Sequence, residues 1–423
     1  MTRADFLIDR ADLVATCAGP SPRAGAAQGD IGAIAHGSVA AWQGRIVAVG
    51  PADEVSRRIT LAPDATVIDG RGHTVVPGFV DAHTHAVFAG DRRDELLRRL
   101  GGATYAEIAA SGGGIVRTVV ATRAATEDEL VAAALPRLAE ALAHGTTTCE
   151  IKSGYGLDTA TELRMLRAIR ALGAAQPIDV AATFMGAHEV PVEFRDRREA
   201  YVQLVIDEML PAVAREGLAE WNDVFCEHGV FTPEESRQIL EAGQALGLKA
   251  RIHADELGAS GGALTAAAVG AVSADHLIHV DEAGATAMAA AGVIATLLPA
   301  AAFFLKLGRY APARMLVQHG VPVALATDVN PGGGFSPSMP FVIALAVFGM
   351  GLTLEEALVA ATTNGAAALA RQTEVGSLEM GKLMDAVVIE GTLADLVRVS
   401  VPVVTAVVKR GTVVHGRSGW MPA

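Results

Sequence analysis

Residues 78–85 read GFVDAHTH, a short apolar run that ends in two histidines. A run of this kind is typical of a strand that is covered on both faces of a parallel sheet. Seven similar runs follow, with helical patterns between them: TTTCEIK (146–152), DVAATFMGAH (179–188), DVFCE (223–227), KARIHADE (249–256), AVSADH (271–276), VIATLL (293–298) and PVALATD (322–328). Eight strands that alternate with helices predict an α/β fold, a (β/α)8 TIM-like barrel, over residues 78–372.

The segments between these strands carry the start signals of helices. A capping box, in which a threonine is followed three residues later by a glutamate, occurs three times. The pairs are Thr126 with Glu129, Thr232 with Glu235, and Thr353 with Glu356. Pro136 falls inside the helical pattern 127–144. Because proline removes a backbone donor, we expect it to kink or divide that helix.

Both ends of the chain predict short strands instead of helices. GSVAAWQGRIVAVG (37–50) and VVTAVVKRGTVVHG (403–416) each read as two strands around a tight turn. We predict that residues 1–77 and 373–423 together form one small β-sandwich domain beside the barrel. Two unrelated β appendages are the alternative.

Composition argues against several classes of function. The formal net charge is −13, so no nucleic-acid partner is expected, because binding phosphates requires a basic face. Aromatic residues make up only 4%, which argues against base-stacking modules. The three cysteines, Cys17, Cys149 and Cys226, form no C-x-x-C pair. This pattern fits a reducing compartment, and we expect the cytoplasm.

One apolar segment, Ala287–Leu305, is long enough to span a bilayer. Gly292 reads as a helix end within it, and Pro299 interrupts the apolar run after that glycine, so we predict a helix end, a buried strand and a loop. Charged residues near the N-terminus argue against a signal peptide. We therefore expect a small-molecule substrate and no membrane partner, and we keep a homodimer open as the assembly.

The reactive residue types concentrate where the predicted strands end, which is where barrels of this type place their reacting groups. His83 and His85 are two apart, so both imidazoles can face the barrel mouth. Other polar residues at strand ends are His188, His253, Glu256, His276 and Asp328. A single histidine at a strand end is more often structural. Several that converge with a carboxylate suit Zn²⁺ or Fe²⁺ and predict a metal-dependent active site.

Four of these segments and one C-terminal segment resemble the amidohydrolase superfamily in order and spacing. They are PGFVDAHTH (77–85), HADE (253–256), SADH (273–276), ALATD (324–328) and GSLEMGKLMDAVVIE (376–390). The resemblance implies that His83, His85, His253 and Asp328 bind the metal, a divalent or trivalent Zn or Fe ion. Binuclear members carry a carboxylated lysine on strand four, where DVFCE has none, and Lys152 lies on strand two. We therefore expect one ion per chain.

Further segments are similar to the imidazolonepropionase family within this superfamily. They include HAVFAGDRRDE (85–95), EIKSGYGLDTATELRML (150–166), TFMGAHEVP (183–191) and TDVNPGGG (327–334). The resemblance implies substrate contacts from Arg92, Tyr155, His188, Glu256, Asn330, Gly332 and Gly333. Gly333 departs from the family, whose members commonly have a hydroxyl residue there, so the hydrogen bond of that side chain is missing. The guanidinium of Arg92 suits a carboxylate, although a surface salt bridge to Asp91 or Asp94 is the alternative.

The resemblance also implies a reaction, the hydrolysis of the ring amide of 4-imidazolone-5-propanoate to N-formimidoyl-L-glutamate in histidine degradation. His276 or Asp328 would accept the proton of the attacking water, and protonated Glu256 would donate a proton to the leaving nitrogen. A mononuclear deaminase of a cytosine- or guanine-like heterocycle is the nearest alternative, and it needs no carboxylate clamp. An inactive relative that serves as a scaffold is a third, but such proteins usually lose metal ligands.

Overall fold

The computed structural model describes residues 1–103, 107 and 112–417. The last part of the predicted segment 373–423, residues 418–423, lies outside this range. The central sheet contains eight parallel strands in chain order, each hydrogen-bonded to the next. They are β6 Phe79–Asp81, β7 Thr146–Lys152, β8 Asp179–Ala187, β9 Trp221–Cys226, β10 Lys249–Ala254, β11 Ser273–His276, β12 Ile294–Leu297 and β13 Val323–Leu325. The predicted barrel is confirmed.

The ring closes between its last and first strands through residues that lie just beyond them. The backbone N–H of Asp328 donates to the carbonyl of His83 over 3.0 Å, and the N–H of His85 donates to the carbonyl of Val329 over 2.9 Å. The side chain of Asp81 also accepts from the backbone N–H of Thr327 over 2.9 Å. These bonds bring the first and the last of the predicted ligand segments together.

The helices that surround the barrel agree with the start signals in the sequence. All three predicted capping boxes are present, and the helix that contains Pro136 continues through it without division. The described helices are α1 Ala52–Arg58, α2 Arg93–Leu100, α3 Ile115–Ala124, α4 Glu127–Ala143, α5 Thr159–Ala175, α6 Arg198–Leu204, α7 Leu210–Glu216, α8 Pro233–Ala245, α9 Gly262–Val269, α10 Glu282–Ala291, α11 Pro299–Phe304, α12 Ala313–Gln318, α13 Met339–Met350, α14 Leu354–Ala361 and α15 Thr363–Ala368. Short 3-10 segments occur at Gly25–Gly29, Val192–Phe194 and Leu393–Val397, and a π-helical turn occurs at Val205–Met209.

The apolar segment 287–305 is divided into a helix end and a buried strand as predicted, but the loop expected after the strand is wrong, because Pro299 begins a short helix. The helix α10 ends at Ala291, Gly292 takes a left-handed conformation, and the buried strand β12 and the short helix α11 come next. Within the residues that the structure describes, we find no helix that combines the length and the apolarity needed to cross a membrane.

A second sheet is built from both ends of the chain, as predicted. Its strands are β1 Thr2–Ala15, β2 Ala33–Trp42, β3 Arg45–Pro51, β4 Ile59–Asp69, β5 His73–Pro77, β14 Ala386–Glu390, β15 Val404–Lys409 and β16 Thr412–Gly416. The two ends meet where β14 pairs antiparallel with β5. The domain boundaries at 77/78 and 372/373 stay a prediction.

A buried lysine joins this sheet to the barrel. The ammonium of Lys409 contacts the carboxylates of Asp385 at 2.6 Å and Asp179 at 2.8 Å. It also donates to the backbone carbonyl of Thr147 over 2.9 Å. Since Asp179 and Thr147 lie on barrel strands, this contact fixes the small sheet against the amino-terminal end of the barrel, away from the predicted chemistry.

Candidate active site

Three imidazoles and one carboxylate converge at the carboxyl end of the barrel. The Nε2 atoms of His85 and His253 lie 3.3 Å apart. Oδ1 of Asp328 lies 3.6 Å from Nε2 of His83 and 3.7 Å from Nε2 of His85. A tetrahedral ion with metal–ligand bonds of about 2.0–2.1 Å separates its ligand atoms by about 3.3 Å. These three separations are close to that value, and His83 belongs to both groups of ligand atoms that lie within 4.8 Å of one another, one with His85 and His253 and one with His276 and Asp328.

The chemistry of the same atoms also fits a metal. Nε2 of His83 and Oδ1 of Asp328 are buried, and neither has a hydrogen-bond partner in the described part of the chain. Burial is the largest cause that lowers the pKa of His83 and of His85 well below the usual value, so both imidazoles are neutral, the form that binds a metal. Burial and the nearby Glu256 raise the pKa of Asp328 well above its usual range. A bound cation would favour its ionised form.

Two buried aspartates hold the other ring nitrogen of two of these histidines. Oδ1 of Asp223 lies 3.0 Å from Nδ1 of His253, and Oδ2 of Asp275 lies 2.7 Å from Nδ1 of His83. A carboxylate at Nδ1 fixes the tautomer and the ring orientation, which leaves Nε2 to bind the metal. No role was predicted from the sequence for Asp275 or for Asp223.

Glu256 and His276 lie beside this cluster. Oε1 of Glu256 is 3.6 Å from Nδ1 of His276, and both side chains are buried. Burial, and after it the charge of Glu227, raises the pKa of Glu256 to about 8. His276 is also close to the ligands, because His83, His276 and Asp328 offer ligand atoms within 4.8 Å of one another. Burial is the largest cause that lowers the pKa of His276 well below its usual value, so the pair can supply a proton donor and a neutral acceptor at neutral pH.

His276 and Asp328 share a backbone feature that is uncommon outside glycine. Their φ angles are +73° and +52°, in the left-handed region. Such conformations cost free energy and persist where the surroundings fix them, often at active sites. The strands end early here, β6 at Asp81 and β13 at Leu325, so several predicted ligands lie on the segments after the strands rather than on the strands.

A cavity of about 500 Å³ opens above the cluster. Every substrate-contact residue predicted from the sequence lines it, together with three of the four predicted ligands and His276. These lining residues are His85, Arg92, Tyr155, His188, His253, Glu256, His276, Asp328, Asn330, Gly332 and Gly333. His83 lies below the cavity and is fully buried.

His188 and Tyr155 form one wall of this cavity. Nδ1 of His188 lies 2.9 Å from the carbonyl of Gly154, and its ring stacks on that of His85 with centroids 5.0 Å apart. Burial lowers the pKa of His188 to about 3, so the ring is neutral. Since Nδ1 is the donor to Gly154, Nε2 is an acceptor. The ring of Tyr155 lies 5.2 Å from that of His188.

Arg92 has a different partner from the ones expected from the sequence. Nε of Arg92 donates to Oε2 of the buried Glu95 over 3.0 Å. Asp91 and Asp94, which the sequence suggested, instead contact the backbone of Arg93 and the side chain of Arg117. The surface salt bridge was therefore the wrong alternative, because the i,i+3 spacing on α2 brings Glu95 and not Asp94 to Arg92.

The loop after β13 is held by Asn330. Its Oδ1 accepts from the backbone N–H groups of Gly332 over 2.8 Å and Gly333 over 2.6 Å, and its Nδ2 donates to the carbonyl of Asp328 over 2.8 Å. A Cβ atom on Gly332 would lie 2.6 Å from the guanidinium carbon of Arg92. Glycine therefore permits the close approach of Arg92 to the loop.

Gly333, the position that departs from the family, faces an apolar side chain. A Cβ atom added to Gly333 would lie 3.1 Å from atoms of Leu305, which also lines the cavity. Leu305 therefore occupies the space beside the missing hydroxyl side chain. No role for Leu305 was predicted from the sequence.

Arg99 is a further cavity residue that was not predicted from the sequence. Its Nη2 donates to the carbonyl of Gly332 over 2.8 Å. The signal was available, because Arg92, Glu95 and Arg99 are spaced i, i+3 and i+7 and so share one helix face.

A group of buried charges beneath the ligands was also missed. Lys152 lies 2.9 Å from Glu150 and 2.8 Å from Asp223, and Arg251 lies 3.1 Å from Asp275. Charged residues two apart on an otherwise apolar strand, such as Glu150 and Lys152, point into the same buried space. That alternation was the available signal. Burial opposes the charge of Lys152, but Asp223 and Glu150 outweigh it and raise the pKa of its ammonium.

Comparison with known proteins agrees with this geometry. Residues 74–414 match the amidohydrolase family. An imidazolonepropionase from Symbiobacterium thermophilum is 52% identical and covers 98% of both chains, and one from Geobacillus kaustophilus is 50% identical over 90% of this chain and 91% of its own. A zinc complex of atrazine chlorohydrolase from Arthrobacter aurescens has the same fold, with a TM-score of 0.72, 18% identity, and 97% and 95% of the two chains covered. The chain therefore belongs to the amidohydrolase family and, within it, to the imidazolonepropionases.

Proposed function

We propose that this protein hydrolyses the ring amide of 4-imidazolone-5-propanoate and releases N-formimidoyl-L-glutamate, a step of histidine degradation. The observation that carries the proposal is the cluster at and below the cavity floor, where the candidate ligands His83, His85, His253 and Asp328 lie beside Glu256 and His276. The curated relatives named imidazolonepropionase support the choice of substrate.

We propose His83, His85, His253 and Asp328 as the ligands of a single Zn or Fe ion. When bound, such an ion lowers the pKa of a coordinated water from 15.7 to about 7 and so supplies a nucleophile at neutral pH. Lys152 is not available as a bridging carboxylated ligand, because its ammonium is already held by Glu150 and Asp223. One ion per chain is therefore the expected content.

The remaining groups move protons and orient the ring. We assign the acceptance of the water proton to His276 or Asp328, both of which lie at the cavity floor. The water oxygen adds to the ring carbonyl carbon, and the amide C–N bond then breaks. The leaving nitrogen takes a proton from Glu256. Glu256 suits this step because burial raises its pKa to about 8, so its carboxyl is protonated at neutral pH. The neutral His276 can also donate a hydrogen bond to the carbonyl oxygen as charge develops on it.

We assign the propionate tail of the substrate to the side of the cavity that holds Arg92. Its guanidinium lies against Gly332, within a loop whose shape is set by Asn330. Tyr155 and His188 form the wall across which the ring would lie. Gly332 and Gly333 contribute backbone rather than side chain, and the missing hydroxyl at Gly333 leaves Arg92 with a larger share of tail recognition.

Replacement of Arg92 tests the tail assignment. Arg92→Ala should lower kcat/KM for the natural substrate by about ten- to a hundred-fold, the usual size for a hydrogen bond to a charged group. The loss is expected at the low end, because Glu95 already neutralises part of the guanidinium charge. Steady-state kinetics on the substrate and on its propionamide analogue are the measurement, and the variant and the wild type should differ little on the uncharged analogue.

The matched control is Arg93→Ala. The side chain of Arg93 is 82% exposed and pairs only loosely with Asp91, at 3.7 Å, so its removal should leave kcat/KM within about two-fold, as for an exposed ion pair. Equal losses of Arg92→Ala on the charged and the uncharged substrate would show that Arg92 only supports the loop.

The pH dependence of kcat/KM tests the role of Glu256, because kcat/KM reports the ionisation of the substrate-free protein. The protonated carboxyl is the active form, so kcat/KM should fall by about ten-fold per pH unit above about pH 8, because the folded-state pKa of Glu256 is about 8. The measurement is kcat/KM from pH 6 to pH 10. Glu256→Gln cannot ionise and should lose this alkaline limb. Activity that rises through pH 8 to pH 9 in the wild type would contradict the assignment.

The alternative function, deamination of a cytosine- or guanine-like ring, uses the same ligands and Glu256. It predicts ammonia release from such heterocycles and no need for Arg92. Incubation of the metal-loaded protein with freshly prepared imidazolone propionate should abolish the ring absorbance within minutes, while cytosine and guanine stay unchanged. Turnover of either base in place of the imidazolone would overturn the proposed function.

The three buried free thiols support our proposal of the cytoplasm as its compartment.

A further inference from the structure

We propose that Lys152 is a positioning residue of the metal site, which acts through Asp223 and Glu150 on the three histidine ligands. Its ammonium lies 2.8 Å from Oδ2 of Asp223 and 2.9 Å from Oε1 of Glu150. All three side chains are completely buried. The inference rests on the metal site of the proposed function, but not on the identity of the substrate.

The burial of these charges indicates a role beyond holding the barrel together. Removing an ammonium and two carboxylates from water is unfavourable, and well-packed apolar side chains are often at least as stabilising. The charged residues face the barrel interior beneath the ligands.

The first arm of the network leads to His253. Asp223 uses one oxygen for Lys152 and the other for Nδ1 of His253, at 3.0 Å. Lys152 therefore holds the carboxylate in the orientation in which it accepts from Nδ1, and the tautomer with Nε2 free for the metal is favoured. Without this cation, the buried Asp223 would keep the imidazole of His253 in direct contact and the guanidinium of Arg251 only at longer range.

The second arm leads to His83 and His85 through the residue between them. Oε2 of Glu150 accepts from the backbone N–H of Thr84 over 3.1 Å, and the backbone carbonyl of Glu150 accepts from Oγ1 of Thr84 over 2.7 Å. The backbone N–H of Lys152 donates to the carbonyl of Thr84 over 3.0 Å. Because three hydrogen bonds hold Thr84 in place, the histidines on either side of it keep their spacing.

A comparison within the site explains why the cation is needed at Asp223. Asp275 binds Nδ1 of His83 in the same manner and has its own cation, Arg251, at 3.1 Å. Lys152 is 4.0 Å from Asp275 and is much closer to Asp223. Each aspartate that orients a ligand is thus paired with one buried cation, Arg251 for His83 and Lys152 for His253.

Lys152→Gln tests this inference with readouts that require no substrate. Glutamine keeps a donor for one carboxylate but removes the charge. We expect release of the bound metal to an excess of a chromophoric chelator to become about ten- to a hundred-fold faster, the usual effect of changing an outer-shell partner. The visible absorption of the Co²⁺-substituted protein should also change, because the geometry of the ligands changes. Lys152→Arg should restore part of the wild-type release rate.

The matched control is Lys409→Gln. Lys409 is likewise buried between two carboxylates, Asp385 and Asp179, but lies away from the ligands. Both variants should lower the melting temperature of the metal-free protein, whereas only Lys152→Gln should affect metal release and the Co²⁺ spectrum. Wild-type release and an unchanged spectrum in Lys152→Gln would overturn the inference, whatever its melting temperature.

Asp223→Asn covers the case in which Lys152→Gln does not fold. Asparagine has the shape of aspartate and keeps an acceptor for His253. It has no negative charge, so it cannot form the ion pair with the ammonium of Lys152. The same acceleration of metal release is expected, and its absence would overturn the inference. A wild-type protein that binds no metal would instead contradict the proposed metal site, and one that binds metal but opens no ring would contradict the proposed substrate.

Discussion

His253→Ala should lose the metal ion and the activity together. The substitution removes one of the three imidazoles, whose Nε2 lies 3.3 Å from that of His85, and leaves the buried carboxylate of Asp223 without its imidazole partner. Two imidazoles and one carboxylate hold the ion far less well. Without the ion no water of pKa near 7 is present, so activity should fall by about 10³-fold or more.

Elemental analysis of the purified protein, together with the turnover rate, is the measurement. The wild type should carry about one equivalent of Zn or Fe, and the variant far less than that. His228→Ala is the control, because His228 is exposed and Nε2 of its ring lies 3.2 Å from the carbonyl of Ala259, away from the candidate ligands. Two equivalents in the wild type, both lost with activity, would contradict the single-ion site.

Glu256→Ala should separate chemistry from metal binding. The variant should keep its metal, because Glu256 contacts His276 at 3.6 Å and belongs to neither group of converging ligand atoms. We expect kcat to fall by about 10²-fold or more, the usual cost of losing a general acid. Glu256→Gln should be milder, since the amide can still hold the ring by hydrogen bonds.

The measurement for Glu256 pairs single-turnover kinetics with metal content. Single-turnover rates separate the loss of the chemical step from slow product release. A Glu256→Ala protein that has lost its metal would show that Glu256 supports the ligands rather than the leaving group. An unchanged kcat in a Glu256→Ala protein that keeps its metal would show that Glu256 takes no part in the reaction.

The barrel could be predicted from the sequence because each of its strands is a local signal. A continuous apolar run bounded by a glycine or a helix cap, as in VIATLL after Gly292, needs no knowledge of the partner strand. Candidate ligands could be predicted because those runs end in histidine or aspartate, and the family resemblance then implied which four of them bind the metal. Family resemblance, rather than any pattern in the residues, supplied Tyr155 and Asn330.

The pairing of charges could not be predicted in the same way. In the sequence, Asp91, Asp94 and Glu95 are all close enough to Arg92 to form an ion pair with it. Glu95 is the partner because the helix begins at Arg93 and brings the side chain three positions after Arg92 next to it. Lys152 and Asp223 lie on different strands, and nothing local indicates that they meet at 2.8 Å. Such contacts depend on the closure of the barrel and therefore appear only in the folded structure.

The central claim is that the protein opens a ring by adding water to an amide carbon. We would test it by incubating the metal-loaded protein with imidazolone propionate in water enriched in oxygen-18 and analysing the product by mass spectrometry. The account predicts N-formimidoyl-L-glutamate with one heavy oxygen, in the carboxylate formed from the ring carbonyl, and no release of ammonia. Release of ammonia with the ring intact, or unchanged substrate in the presence of one bound ion per chain, would contradict it.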